Sequence, residues 1–515
     1  MAMNRRFFIG SLASFGACRL LRAAQGGFAS EKPLLRFGVV SDIHMRLDKD
    51  GQTLAKGYDV ETFEKALLWY RDMGVDAVVI AGDMADSGLV GELKAVADVW
   101  FRVFPSDLAP DGRKVERVFV FGNHDAFGLK NGKKVFTDKE TLRREAIEVD
   151  PAKAWDSCFH EEYKPFFVKN VKGYDFFCSH WKPGVWCNGH SEKGCSGCGD
   201  AFRGLMEKCD PSRPFFYVQH PHPADTVYGQ GAWGVDDGAA SKLLSAFPQA
   251  VAFSGHSHLP LTNERSIWRG AYTSVATGSL RMLSASALWN RIHTPGYENG
   301  ICNYYMPGVE KKDRPAYIAK YDAPKTMPQE LVRPDICVGQ LVSVYGDRIE
   351  FAKREFVSGL PLGDDWVVAL PAREMSFAAL AKTAKPAEFP NDAKLVVKCA
   401  EAKTRGMKKS KASVGIKPVR TAVLRLTFPA ATMGGQVAEY ELSATNVAGE
   451  RYETRVCAIG GLYPRTHGNF SKAVSMTVSV AALPKGAEKV SVAPLDSYGN
   501  KGRPLSAAIP AVLVS

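Results

Sequence analysis

The chain has 515 residues, 45% of them hydrophobic and 23% charged, a balance that builds packed cores and excludes a disordered or low-complexity protein. At about 150 residues per domain it is long enough for more than one. Of its formal charge of +11, Arg5, Arg6, Arg19 and Arg22 supply four units; the +7 left on residues 30–515 favours an anionic substrate, and no basic stretch interleaved with aromatics marks a specific nucleic-acid site.

The N-terminus reads as an address. Asn4-Arg5-Arg6-Phe7-Phe8-Ile9 and the apolar, small-residue run to Ala17 resemble a twin-arginine signal, with cleavage expected at Ala23-Ala24 or Phe28-Ala29. The run is too short to span a bilayer, so no transmembrane segment is expected. The resemblance implies a periplasmic or extracellular protein. Lipid anchoring at Cys18 is disfavoured by Phe15 before it and Arg19 after it.

Apolar strand-like runs then follow one another: Leu34 to Val40, Ala77 to Ala81, Arg117 to Phe121, Phe215 to Gln219 and Ala250 to Phe253. Between the first three, Val60, Phe63, Leu67 and Tyr70 share a helical face and Glu92 to Phe104 reads as a second helix, a βαβ passage. Each run ends in groups that can carry chemistry: Asp42-Ile43-His44, Gly82-Asp83, Gly122-Asn123-His124-Asp125, His220, and Gly255-His256-Ser257-His258. Any one of these is weak, since a lone histidine is usually an ordinary core or surface residue. Five in order at strand ends predict that carboxylates and imidazoles converge along one sheet edge, where open α/β sheets bind ligands. Oxygen and nitrogen donors without thiolate suit Mn, Fe or Zn, and a shared carboxylate, expected to be Asp83, can bridge two cations. There is no P-loop Gly-x-x-x-x-Gly-Lys, and Gly278-Ser279 lacks the partners of a serine hydrolase.

At these residues the chain resembles the calcineurin-like metallophosphoesterase superfamily, whose pattern runs Asp-x-His, Gly-Asp, Gly-Asn-His-Asp/Glu, His, Gly-His-x-His in this order. The resemblance implies a four-layer αββα sandwich in which Asp42, His44, Asp83 and His258 hold one divalent or transition-metal ion and Asp83, Asn123, His220 and His256 a second. It implies that His124 stays off the metals as general acid or charge stabiliser, with Asp125 orienting its other ring nitrogen, against the plainer reading of Asp125 as a loop-capping carboxylate. The implied reaction is in-line attack of metal-bound hydroxide on a phosphate ester, after export with metals already loaded. Gly82-Asp83-Met84-Ala85-Asp86 lacks the metal-binding tyrosine of purple acid phosphatases, which argues against an iron-tyrosinate site. Of the two imidazoles in His220-Pro221-His222-Pro223, His220 directly follows the strand and is the expected ligand, while His222 is expected to be a pocket wall or substrate contact. His180, after the apolar run Tyr174 to Cys178, matches no ligand position and reads as structural.

Two excursions, Trp181 to Pro214 and Leu280 to Ile336, read as loops over the site. Arg281, Tyr304 and Tyr305 are substrate-contact candidates there, against the plainer reading of packed aromatics and a surface arginine. Cys187, Cys195, Cys198 and Cys209 crowd the first excursion; disulfides, a structural zinc and free thiols all remain open. Runs at Gly270 to Ala276, Gln340 to Tyr345 and Arg348 to Arg354 are expected to complete the catalytic domain, residues 30–371 after a signal at 1–29. Residues 372–393, rich in Ala, Lys and Pro, read as a linker. Strand-like runs at Thr421 to Thr427, Ala438 to Ala444, Ala473 to Val480 and Lys489 to Pro494 make residues 394–515 a second, all-β sandwich, whose ending resembles fibronectin type III-like domains; with no catalytic constellation in it, it reads as a stabilising or adhesive module, carbohydrate binding being the sharper alternative. Lys408-Lys409-Ser410-Lys411 reads as a solvated linker.

Two functions compete. One is a secreted phosphoesterase acting on a phosphorylated small molecule, a nucleotide or a phospholipid head group. The other is a binding or scaffolding protein that keeps the fold without the chemistry. The intact ligand set and His124 favour the enzyme.

Overall fold

Two mixed β-sheets pack face to face, with helices on both outer faces, in a computed structural model that describes residues 31–48, 58–181, 202–229, 232, 234–284, 332–333, 336–410, 413–458 and 473–510. The first sheet is built on β1 (Leu35–Val40), β2 (Ala77–Ala81) and β3 (Glu116–Val120), which are parallel. All five residues of β2 are buried, as expected of a parallel strand covered on both faces. Helix α1 (Tyr58–Asp72) makes the crossover to β2 and α2 (Val90–Val103) the crossover to β3. The period of 3.6 puts Val60, Phe63, Leu67 and Tyr70 of α1 and Leu93, Val96 and Trp100 of α2 in one outer core. Helix α3 (Pro151–Phe159) adds Trp155 and Phe159 to it.

The second sheet has the order β4 (Phe166–Val171), β5 (Tyr174–Ser179), β6 (Phe215–Val218), β7 (Ala250–Ser254), β9 (Thr273–Ala276), β8 (Ile267–Arg269). Its outer face is covered by Phe202, Met206 and the short helix α4 (Ala239–Leu244) through Ala240, Leu243 and Leu244. The inner faces of the two sheets share one core. Phe37 of β1 stands edge-on to Phe176, Phe216 and Phe253 of the second sheet at 5.2, 4.9 and 5.7 Å, the T-shaped geometry that aromatic quadrupoles prefer. The result is the four-layer αββα arrangement. The first sheet continues antiparallel from β1 through β10 (Val338–Val344) and β11 (Arg348–Glu355), which pairs with both β12 (Leu360–Pro361) and β13 (Trp366–Ala369).

Beyond this unit the chain is all β. A three-stranded sheet, β14 (Val396–Ser410), β15 (Ser413–Pro429) and β18 (Ala473–Ser479), shares a core with a four-stranded one ordered β17 (Arg451–Cys457), β16 (Val437–Asn446), β19 (Ala487–Asp496), β20 (Leu505–Ala508). Leu424, Leu426, Phe428, Tyr440, Leu442, Val490 and Val492 fill that core. Residues 408–410 belong to the strand end of the β14–β15 hairpin, with Ser410 opposite Ser413, and not to a linker. Residues 372–393 are also more than a spacer. They carry helix α5 (Phe377–Thr383), N-capped by the Ser376 hydroxyl, which accepts from the Ala379 amide. Arg265 lies over the Phe377 ring at 4.3 Å, and Asn500 donates to the Ala381 carbonyl at 2.8 Å, so this helix touches both units.

Candidate metal centre

The site lies at the carboxyl ends of strands from both sheets, where the sequence suggested a single edge. β1, β2 and β3 deliver Asp42, His44, Asp83, Asn123 and His124; β6 and β7 deliver His220, His256 and His258. The strands of each set run parallel to one another, and the residues beyond their carboxyl ends meet between the two sheets. Close approach is secured by glycines. A Cβ on Gly122 would fall 2.2 Å from the Asp83 carboxylate, and one on Gly255 would fall 2.6 Å from that of Asp42.

Among the described residues three overlapping groups could each hold a metal ion: Asp42, His44 and His258; Asp83, His220 and His256; and His44, Asp83 and His124. In the first, His258 Nε2 is 3.0 Å from Asp42 Oδ1 and 3.1 Å from His44 Nε2. In the second, His220 Nε2 is 3.2 Å from Asp83 Oδ2 and 3.0 Å from Asn123 Oδ1, which brings Asn123 into the group. Asp83 Oδ2 is also 3.6 Å from His44 Nε2, so this one carboxylate lies between both groups, as a bridging ligand must. All seven expected ligands are thereby brought together.

The imidazoles are oriented by their far nitrogens. His44 Nδ1 faces Asp86 Oδ1 at 3.2 Å, His220 Nδ1 faces the Ala81 carbonyl at 2.8 Å, and His258 Nδ1 the Met282 carbonyl at 3.2 Å. Each contact turns Nε2 toward the shared centre, the outer arrangement that metal-binding histidines require. The donor set, nitrogen and oxygen with no thiolate, fits two borderline or hard transition-metal ions.

Charge follows from burial and neighbours. Burial alone would push the Asp42 carboxyl up, but His258 and His220 outweigh it and bring it down to about 2; Asp83 is likewise held well below the usual carboxylate range, burial being outweighed by His220 and His124. Burial lowers His44, and takes His256 down to about 3, which keeps both imidazoles neutral. These carboxylates and imidazoles are in the protonation states that bind metal, whereas for His220 burial is outweighed by Asp83 and Asp42, which raise it to about 9, so metal binding there must displace a proton.

His124 shares the pocket differently. Its Nδ1 lies 2.6 Å from the Asp86 carbonyl, and its ring meets the His44 ring edge-on at 4.5 Å. Burial opposes its protonation, but Asp83 and the Asp86 carbonyl outweigh that and raise its pKa above the ordinary imidazole value. The orienting role expected of Asp125 is therefore filled by the Asp86 carbonyl. Asp125 is fully buried and accepts from the amides of Met84, Ala85 and Gly122 at 3.2, 2.7 and 2.7 Å, which ties the second motif loop to the third. Burial, then Asp83, pushes its carboxyl up to about 7.

His222 also departs from expectation. It is fully buried, with Nδ1 on the Ser254 hydroxyl and Nε2 on the Ser257 hydroxyl, both at 2.8 Å. With both nitrogens engaged beneath the Gly255-to-His258 loop, it is neither wall nor substrate contact. His180 accepts from the Phe121 amide at 2.9 Å among aromatic rings, a structural histidine. Asp86 is the residue that sequence reasoning missed; its signal was a second carboxylate three positions after Asp83. Cys187, Cys195, Cys198, Tyr304 and Tyr305 lie outside the described residues, and among the described residues Cys209 is a free thiol.

Residues 35–260 match the family described as calcineurin-like phosphoesterase, so the unit that builds this centre is a domain of that kind. No curated protein matches the sequence. Among solved structures the chain is similar to purple acid phosphatase PPD1 of yellow lupin (Lupinus luteus), at 12% identity and a TM-score of 0.37 over 66% of this chain and 55% of that one. It thus spans about half the length of the lupin protein. It is also similar to Vps29 from Entamoeba histolytica, as a single mutant, at 9% identity and a TM-score of 0.24 over 65% of this chain and 99% of that one. Vacuolar Protein Sorting 29 from Cryptosporidium parvum gives 9%, 0.25, 66% and 98%.

Proposed function

We propose that this chain, in which residues 35–260 form a calcineurin-like phosphoesterase domain, hydrolyses phosphate mono- or diesters with two metal ions held by Asp42, His44, Asp83, Asn123, His220, His256 and His258. The observation that carries the reading is the convergence of these donors on Asp83 with three imidazoles turned inward by their far nitrogens. Two bound cations would supply the positive charge that offsets an anionic ester and would acidify an attacking water. Asp83 sets the spacing of the two positions, and Ala81, Asp86 and Met282 hold the imidazoles against rotation.

His124 is the proton donor in this reading. Its Nδ1 is committed to the Asp86 carbonyl, which leaves Nε2 to deliver a proton to the leaving-group oxygen. Its raised pKa favours the protonated form that this role needs. Asp125 acts on the chemistry only through the loops that it fastens. Substrates of the class are nucleotides, phospholipid head groups or other organic phosphates. The leader places the enzyme in the periplasm or outside the cell, and among the described residues no helix is long and apolar enough to cross a membrane. The C-terminal strands, read as fibronectin type III-like, serve as a stabilising or adhesive module.

The test is turnover by purified protein loaded with Mn or Zn, on bis-p-nitrophenyl phosphate against p-nitrophenyl phosphate, with metal analysis alongside. Hydrolysis lost to a chelator and restored by metal supports the reading. Two bound ions with neither ester cleaved would leave a non-catalytic binding protein.

A further inference from the structure

Next to the His44 side of the centre, two arginines share one buried carboxylate. Asp59, in the first turn of α1 and 3% exposed, receives Arg46 Nε at 2.7 Å and Arg46 Nη2 at 3.2 Å, and Arg281 Nη1 approaches it at 3.4 Å. One acid thus faces two guanidiniums. The backbone around Arg281 is fastened to the centre on both sides. Leu280 donates to the Ser41 carbonyl at 3.0 Å, Ser279 Oγ to the Asp42 carbonyl at 3.2 Å, and Met282 accepts from His258 Nδ1. Arg281 also interacts electrostatically with Asp86, which faces His44 at 3.2 Å. A guanidinium carries five N–H donors, and among the described residues this one makes a single long side-chain contact while its side chain stays 19% exposed. An arginine whose backbone is fastened to the centre, with donors that no described residue takes up, can receive a planar or tetrahedral anion.

We infer that Arg281, backed by Arg46 and positioned by Asp59, is a specificity residue that binds a second anionic group of the substrate, a phosphoryl or carboxylate beyond the phosphate being cleaved. This rests on the phosphoesterase reading and refines its substrate class. It makes a singly charged diester a poor substrate and a diester with an additional phosphate a good one. Arg46, whose side chain is 42% exposed, adds a second positive charge on the same carboxylate.

The test compares two esters with the same leaving group, thymidine 5′-(p-nitrophenyl phosphate) and the same compound with a 3′-phosphate, on the metal-loaded full-length protein. The wild-type enzyme should prefer the second by roughly ten- to hundredfold in kcat/KM, the worth of one charge-assisted hydrogen-bond pair, mostly through KM. Raising the salt concentration should shrink that preference. Arg281→Gln should abolish it while changing the singly charged ester by less than about threefold, the scale of an exposed ion pair. Arg281→Lys should keep part of it, and metal content and Tm should match wild type in both variants. A wild-type enzyme that treats the two esters alike, a preference that ignores salt, or one that survives Arg281→Gln overturns the inference. Equal loss on both esters also overturns it, making Arg281 a structural clamp. Turnover of neither ester by the metal-loaded wild type would instead defeat the phosphoesterase reading itself.

Discussion

Replacing Asp86 by alanine should weaken one metal position and spare the other, because its side chain and its backbone do different work. The carboxylate faces His44 Nδ1 at 3.2 Å, whereas the backbone carbonyl faces His124 Nδ1 at 2.6 Å. Removing an outer partner of a metal-binding histidine typically costs about 10–100-fold in metal affinity. Since 3.2 Å is longer than the roughly 2.7–2.9 Å of a strong charge-assisted bond, the lower end applies, about tenfold or about 1.4 kcal/mol. His220 is held by the Ala81 carbonyl, which the substitution leaves alone, so the position built on Asp83, Asn123, His220 and His256 should change by less than about threefold. Calorimetric titration of metal-free protein with Mn or Zn, with a competing chelator to bring both sites into range, reads the two constants separately. Asp86→Asn should recover part of the loss, since its amide oxygen can still accept from Nδ1–H. Equal weakening at both positions would show that Asp86 supports the loop and not His44. Unchanged affinities would show that packing alone orients that imidazole.

Asp83→Asn should empty both positions, while loss of His258 should weaken mainly the one shared with Asp42 and His44, as metal analysis after reconstitution would show. His124→Ala should keep both metals and lower turnover by roughly 10²–10⁴-fold, with a smaller loss on esters that have good leaving groups; a uniform loss would remove the proton-donor role. Glu92 gives a pH test outside the centre. Burial pushes its carboxyl from 4.5 up to about 8, against the pull of the Ser87 and Leu89 amides. A folded pKa above the unfolded one adds stability that is complete below about 4.5 and disappears as pH rises through about 8. Wild-type Tm should therefore fall relative to Glu92→Gln across that window, and parallel Tm curves would contradict it.

Much of the centre is legible in the sequence because its ligands sit where apolar runs stop. A strand that ends in Asp-x-His or Gly-Asp exposes those side chains at the sheet edge whatever its neighbours are. The partition of the strands is another matter. β1 to β3 and β6 to β7 all read as the same buried runs, and only the long-range packing of Phe37 against Phe176, Phe216 and Phe253 tells that they form two sheets. Asp125 and His222 depart from their motif roles for a different reason, Asp125 taking the plainer loop-capping one. Both look like functional groups in a motif, yet one is taken up by three backbone amides and the other by two serine hydroxyls, partners that carry no mark in the sequence. Residues 372–393 have a linker's composition, and the seven-residue helix there depends on tertiary contacts with Arg265 and Asn500.

The conformations of the ligands give the site its order before any ion arrives. Asp42, His44, Asp83, His256 and His258 have φ values of 51, 47, 52, 71 and 55°, in the left-handed region that non-glycine residues rarely enter. Each such residue costs on the order of 1–3 kcal/mol and persists only where its surroundings over-determine it. Here they do: Asp42 and His44 donate to the Gly82 and Asp83 carbonyls at 3.0 Å, and Gly255 donates to that of His220 at 2.9 Å. Neighbouring loops thus lock one another in the strained turn that brings each side chain to the centre. The same strain decides which substitutions can be interpreted. Asparagine tolerates this region and aspartate's shape, so Asp83→Asn removes charge with little backbone change. Alanine at His258 adds strain to the loss of a ligand, and His258→Asn is the cleaner probe of the ligand alone.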